Sequence, residues 1–129
     1  NYPESPYATL TALFIAKQNV EDGDLVGAHE RLQWVLDNAK EGDFVHIARV
    51  RLARVMLAQG QAEQGLALLN SVDSEGFKPS YEEAKGDIHV AQNNPVDAEI
   101  AYKAALAAMP ENANLQNLKM KIDNLGLGE

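Results

Sequence analysis

No cysteine occurs in this chain of 129 residues. Disulfides, thiolate metal sites and cysteine nucleophiles are therefore excluded. Compartment stays open, because a cysteine-free chain tolerates reducing and oxidising surroundings alike. Aromatic residues make up only 6%, fewer than a large α/β enzyme core usually carries. Basic side chains number 11 against 19 acidic ones, a net charge of -8. That balance repels nucleic-acid phosphates and anionic lipid surfaces, so neither is an expected partner. No apolar run approaches the roughly 18 residues needed to span a bilayer. The chain opens on Asn1 rather than Met, without a signal-peptide pattern. It reads as a fragment or processed form.

What is abundant is alanine and leucine, within a hydrophobic fraction of 46%. Alanine is the strongest helix former, and its small side chain lets helices pack closely. A repeat runs through these residues. Gly23, Gly60 and Asn93 each follow one helical pattern and precede another. Gly and Asn tolerate the left-handed conformation that ends a helix. Seven residues before them stand Ala16, Ala53 and Gly86; five after them stand Ala28, Gly65 and Ala98. Four residues further come the large Leu32, Leu69 and Tyr102. Ala28 and Gly65 lie 37 residues apart, Gly65 and Ala98 33 apart. Tetratricopeptide (TPR) units run near 34 residues, and the longer interval places a few extra residues around Lys40 to Asp43. The third unit, with Gly86, Ala98, Tyr102, Ala105, Leu106 and Pro110, resembles the TPR consensus from its helix A glycine to its closing proline.

The expected fold is all-α: a right-handed superhelical TPR-like solenoid of three helical hairpins plus a C-terminal capping helix, in one domain spanning 1–129. The repeats cover about 6–40, 43–73 and 79–110. The predicted helices run about 6–20, 24–39, 43–59, 61–72, 79–92 and 95–109. Asp73 to Lys78 is a predicted loop with Gly76 as its hinge. In a seventh helix, about 112–125, Leu115, Leu118, Ile122 and Leu125 share one face and suit a cover for the last repeat. The tail from Gly126 to Glu129 is expected to fray.

The sequence carries few motifs of reactive chemistry. His29, His46 and His89 are 17 and 43 residues apart, with no HExxH pattern. They read as packing and surface histidines. Phosphate-binding glycine loops and the GxSxG nucleophile motif are absent. The adjacent carboxylates Glu21–Asp22 and Glu82–Glu83 read as solvated charge rather than an acid/base pair across a pocket. The expectation is a non-enzymatic protein with no metal and no cofactor.

Several segments narrow the resemblance. SPYATLTALFIAKQNVEDGDLVGAHERL at the start, ARVRLARVMLAQGQAEQGLALL, KGDI at Lys85 to Ile88, and MKIDNL near the end resemble the YfgM family, also described as the ancillary SecYEG translocon subunit. The likeness covers essentially the whole chain. It implies a single-pass protein of the bacterial inner membrane with its TPR domain on the periplasmic side. The implied partners are the SecYEG translocon and a PpiD-type periplasmic chaperone, and the implied role is assistance to newly translocated proteins. A second reading is a TPR adaptor or homo-oligomeric scaffold of another pathway, with no translocon link.

TPR proteins line an inner groove with helix A side chains. Carrying over the consensus groove positions selects Leu10, Leu13, Phe14 and Lys17 from helix 1. Helix 3 contributes Ile47, Val50, Arg51 and Arg54, and helix 5 contributes Ser80, Glu83 and Asp87. Such a strip, apolar with a central basic pair and an acidic end, suits a peptide of mixed polarity. The competing reading pairs charges between repeats: Arg49 with Glu82 and Arg54 with Asp87, each 33 residues apart. Arg51 stands opposite Ala84 and is the better contact candidate. Phe14, Ile47 and Val50 could also be covered by helix 7 or by a second protomer. Leu13 and Phe14 occupy positions where a carboxylate clamp needs Lys and Asn, so capture of an acidic chain terminus is not expected. Trp34 is expected to pack between repeats.

Overall fold

The three turn residues singled out by the repeat all adopt the left-handed conformation. Their φ angles are 80° at Gly23, 81° at Gly60 and 63° at Asn93. Around each, the same bonds recur. Asp24, Gln61 and Asn94 donate their backbone N–H to Asn19, Met56 and His89 carbonyls at 2.8, 2.7 and 2.8 Å. This six-residue closure satisfies carbonyls that a helix end leaves without an internal partner. The carbonyls of Asp24, Gln61 and Asn94 then accept from Ala28, Gly65 and Ala98, starting the next helix. One residue thus closes one helix and opens another, so the hairpin has almost no loop.

The computed structural model describes residues 6–39 and 42–127. The chain runs α1 (Pro6–Glu21), α2 (Leu25–Asn38), α3 (Asp43–Ala58), α4 (Ala62–Asn70), a one-turn 3₁₀ segment (Glu75–Phe77), α5 (Lys78–Ala91), α6 (Pro95–Ala108) and α7 (Gln116–Asp123). No strand occurs among the described residues. The architecture is therefore all-helical, with hairpins at α1–α2, α3–α4 and α5–α6 followed by α7. Lys40 and Glu41, within the expected extra residues of the first interval, lie outside the described residues, as do the last two residues of the tail.

Three features of the connections differ from the expectation. α4 stops at Asn70 rather than near Val72. In the following turn the left-handed residue is Glu75, with φ 52°, not Gly76. The Asp73 carboxylate accepts from Glu75 N–H at 2.8 Å, and Phe77 N–H donates to the Ser74 carbonyl at 2.8 Å. These local bonds bend the chain where glycine's freedom was expected to do so. α7 begins at Gln116, later than Asn112. Ala113 N–H instead turns back to Pro110 O at 3.1 Å, and the Asn114 side chain accepts from Gln116 N–H at 2.9 Å. Asparagine here competes with the helical ladder and postpones its start.

Contacts group the chain into two compact units, Asn1–Leu68 and Leu69–Glu129, the division falling within α4. In the first, α1, α2 and α3 pack on one another around Leu13, Ala16, Ala28, Leu32, Ala48 and Leu52. Ala28, Ala48 and Leu52 are fully buried, and alanine at the first two allows close helix approach. In the second unit α5 packs on α6, and α6 on α7. Leu118 of α7 is buried with Ala98, Tyr102 and Ala105 of α6, while Ile122 and Leu125 pack against that cluster. Full burial of a leucine-sized side chain stabilises by about 1.5–3 kcal/mol, so a few such contacts hold an eight-residue helix that would not persist alone.

Gly86 shows why the repeat demands a small residue. A Cβ at Gly86 would collide with the Tyr102 ring, which lies directly against the α5 backbone. Tyr102 is 2% exposed. The glycine and the tyrosine, one small and one large, are two halves of a single contact across the α5–α6 hairpin.

Candidate functional site

The two helix A segments of the first unit each carry two stripes. On α1, Ala12, Leu13 and Ala16 are buried, while Leu10, Phe14 and Lys17 form an exposed line at spacings of four and three. Residues so spaced lie above one another on a helix. On α3, Val45, Ala48, Leu52 and Val55 are buried, and Ile47, Arg51 and Arg54 form the corresponding outer line. Packing the buried stripes leaves the outer lines flanking a hollow.

That hollow is a cleft of about 510 Å³ lined by Leu10, Leu13, Phe14, Lys17, Ile47 and Arg51, with Thr11 and Phe44 completing it. Six of the residues selected from the sequence (Leu10, Leu13, Phe14, Lys17, Ile47 and Arg51) are thus brought together. Phe14 is 73% exposed and Leu10 52%, although both are large apolar side chains. Phe44, absent from the sequence selection, is held at the start of α3, half-buried against the core. A hydrophobic residue in the first turn of a helix A was the signal available for it.

A second hollow of about 350 Å³ adjoins, lined by Ala16, Val20, Leu25, Leu32, Val55 and Ala58, with Lys17, Arg51, Arg54 and Glu21 contributing charge. Arg54 belongs to this hollow rather than the first. Lys17 and Arg51 line both. Both are exposed. The larger cleft on the α1–α2 side, about 710 Å³, is lined by Trp34, Tyr7, Ile15, Arg31 and polar groups including Asp24 and Glu30. Trp34 is half-buried against the first unit's core and forms one wall of this cleft.

Glu83 and Asp87 lie in the second unit and have a different setting. Lys121 of α7 reaches Glu83 Oε2 at 2.7 Å and both Asp87 oxygens at 3.1 Å. The Tyr102 hydroxyl donates to Asp87 Oδ1 at 2.5 Å. The Lys121 ammonium also stands 5.8 Å from the Tyr102 ring centroid, within cation–π range. Helix α7 therefore occupies the flank of α5 that carries these carboxylates. Glu82, one residue before, pairs with Lys85 of its own helix at 3.0 Å.

The three histidines lie on three different helices, α2, α3 and α5. His29 Nδ1–H donates to Gln59 Oε1 at 2.7 Å, tying α2 to the end of α3. His46 is buried. His89 is half-buried with its Nδ1 enclosed and unpartnered. Among the described residues, no group of three or more His, Asp or Glu side chains is placed to hold a metal ion.

Tandem helical hairpins with matching turns, small and large side chains packed together in α1–α2 and in α5–α6, and an open apolar cleft define a helical-repeat scaffold. The chain belongs to the tetratricopeptide repeat-like domain family, whose model matches residues 1–127. It is similar to proteins named ancillary SecYEG translocon subunit. That of Neisseria gonorrhoeae (strain ATCC 700825 / FA 1090) is 32% identical over 97% of this chain and 60% of the relative. That of Buchnera aphidicola subsp. Acyrthosiphon pisum (strain APS) is 29% identical over 94% and 63% respectively. That of Escherichia coli (strain K12) is 26% identical over 96% and 60%. The chain thus spans about three-fifths of the length of these relatives. No solved structure matches it.

Proposed function

We propose that this chain is the non-catalytic, protein-binding part of a membrane-anchored protein that works at the Sec translocon. There it assists newly translocated proteins on the periplasmic side beside a PpiD-type chaperone. The observation that carries the binding half is the α1–α3 cleft, where Phe14 is 73% exposed among other apolar side chains and two cations. A bulky apolar group held in water gains stability when a partner covers it. The translocon half is supported by the names of the relatives. No described helix is long and apolar enough to cross a membrane.

The test is co-purification from cells carrying the full-length protein with Phe14→Ala and Arg51→Ala together. Both side chains are exposed, so helicity by circular dichroism is expected to persist. Capture of translocon or chaperone partners is expected to fall about tenfold or more, the scale for central aromatic and arginine contacts. Undiminished capture by the folded double variant would remove the cleft from the function.

A further inference from the structure

The second unit shows how this fold holds a helix against a helix A flank. α7 inserts the buried Leu118 and, three residues later, sets Lys121 on two carboxylates of α5. Asp87 stands six residues before its turn residue, Asn93; the matching place in α1 is Lys17, six before Gly23. At that register the charge is reversed. Lys17 lies beside Arg51 of α3, because both side chains line the same two hollows. No carboxylate lines the first hollow, and Glu21 is the one that lines the second. Two exposed cations thus stand together between two apolar depressions, in a chain of net charge -8. Like charges lining the same hollows repel, and a carboxylate set between them relieves the repulsion.

We propose that the occupant of the α1–α3 cleft is an internal polypeptide segment with one side-chain carboxylate flanked on both sides by bulky apolar residues. The carboxylate bridges Lys17 and Arg51. One apolar side chain enters the hollow lined by Phe14, Phe44 and Ile47; the other enters the hollow lined by Val20 and Val55. This assignment rests on the cleft being a protein-binding surface and adds which chemistry it selects. The acidic surface of the rest of the chain repels competing acidic segments elsewhere, so the charge pair supplies register as well as affinity.

The test is selection from a displayed random-peptide library whose members are fused at their C-termini, so that no free terminal carboxylate is offered. The target is the 129-residue chain. Selected sequences are expected to carry Asp or Glu within three or four residues of Leu, Ile, Phe or Met on either side. Replacing the acid by its amide is expected to weaken binding about five- to tenfold, the scale of one or two exposed ion pairs. Against the charge-reversed variant Lys17→Glu/Arg51→Glu, the central residue is expected to switch to Lys or Arg. Should that variant lose its helical circular dichroism, Lys17→Gln/Arg51→Gln is used, and the acidic preference is expected to vanish. Selection of apolar sequences without acidic preference, unchanged by either variant, would overturn the charge assignment while leaving the cleft a binding surface. Selected sequences that still bind Phe14→Ala fully would show that the cleft is not that surface at all, and both readings would fall.

Discussion

The same helix A flank is finished in one unit and left open in the other. On α5, Glu83 and Asp87 are bound by Lys121 of α7, and Tyr102 fills the space beside Gly86. On α1, Phe14 and Leu10 face solvent, and Lys17 shares its hollow with another cation. All four arginines of the chain lie in the first unit, at positions 31, 49, 51 and 54, whereas every basic residue of the second is lysine. Guanidinium groups suit planar, two-pronged recognition of carboxylates. The contrast teaches that aromatic side chains do opposite work in one fold. Where a chain segment covers the flank, the ring is structure; where none does, the ring is available to a partner.

The largest expected effect tests that contrast directly. Tyr102→Ala removes a ring that is 2% exposed and its bond to Asp87, so it should destabilise the second unit by about 3–5 kcal/mol. Phe14→Ala, at 73% exposure, should change stability by less than about 0.5 kcal/mol. Urea titrations followed by circular dichroism decide this; comparable losses at the two sites would break the comparison. Next comes Gly86→Ala, whose Cβ meets the Tyr102 ring. Overpacking of this kind costs about 1–3 kcal/mol, and hydrogen exchange should show it as faster opening of α5 and α6. Smallest is Lys121→Gln. It removes the Lys121 ammonium from Glu83 and Asp87, while side chains 20–29% exposed limit the effect. A loss of about 0–1 kcal/mol is expected, localised to α7 amide exchange and reduced in high salt.

Much of the fold is legible in the order of residues because its determinants are local. Gly23, Gly60 and Asn93 stand where a helix must end in a left-handed residue, and each does. The small and large positions recur at set distances from those turns because one turn geometry is used three times. At every one of these nine further positions the side chain or glycine is buried. Local reasoning failed at the connections. Gly76 looked like the hinge, but the Asp73 and Ser74 hydrogen bonds place the bend at Glu75. Asn112 looked like the start of α7, but Asn114 delays it to Gln116. In both places a side chain one or two residues away competes with the backbone, and composition cannot say which competitor wins.

The candidate site divides in the same way. Leu10, Phe14 and Lys17 could be aligned from helical spacing alone, as could Ile47 and Arg51, because periodicity along one helix is a local property. That α1 and α3 bring these lines to one cleft depends on which stripe is buried, and the alanines of the repeat foreshadow it. Arg54 could not be assigned to the neighbouring hollow from spacing, and Phe44 was not selected at all. Glu83 and Asp87 had the repeat register of groove residues, yet their neighbour Lys121 is 34 to 38 positions away.

From its sequence alone this chain was bound to be helical, repeated in hairpins and free of thiol chemistry, because turn residues, helical periods and absences all act over a few residues. Which charges are answered within the chain and which stand open to a partner was decided only by tertiary structure. A lysine answers a carboxylate only when folding removes the distance between them, and no property of either residue by itself records that distance.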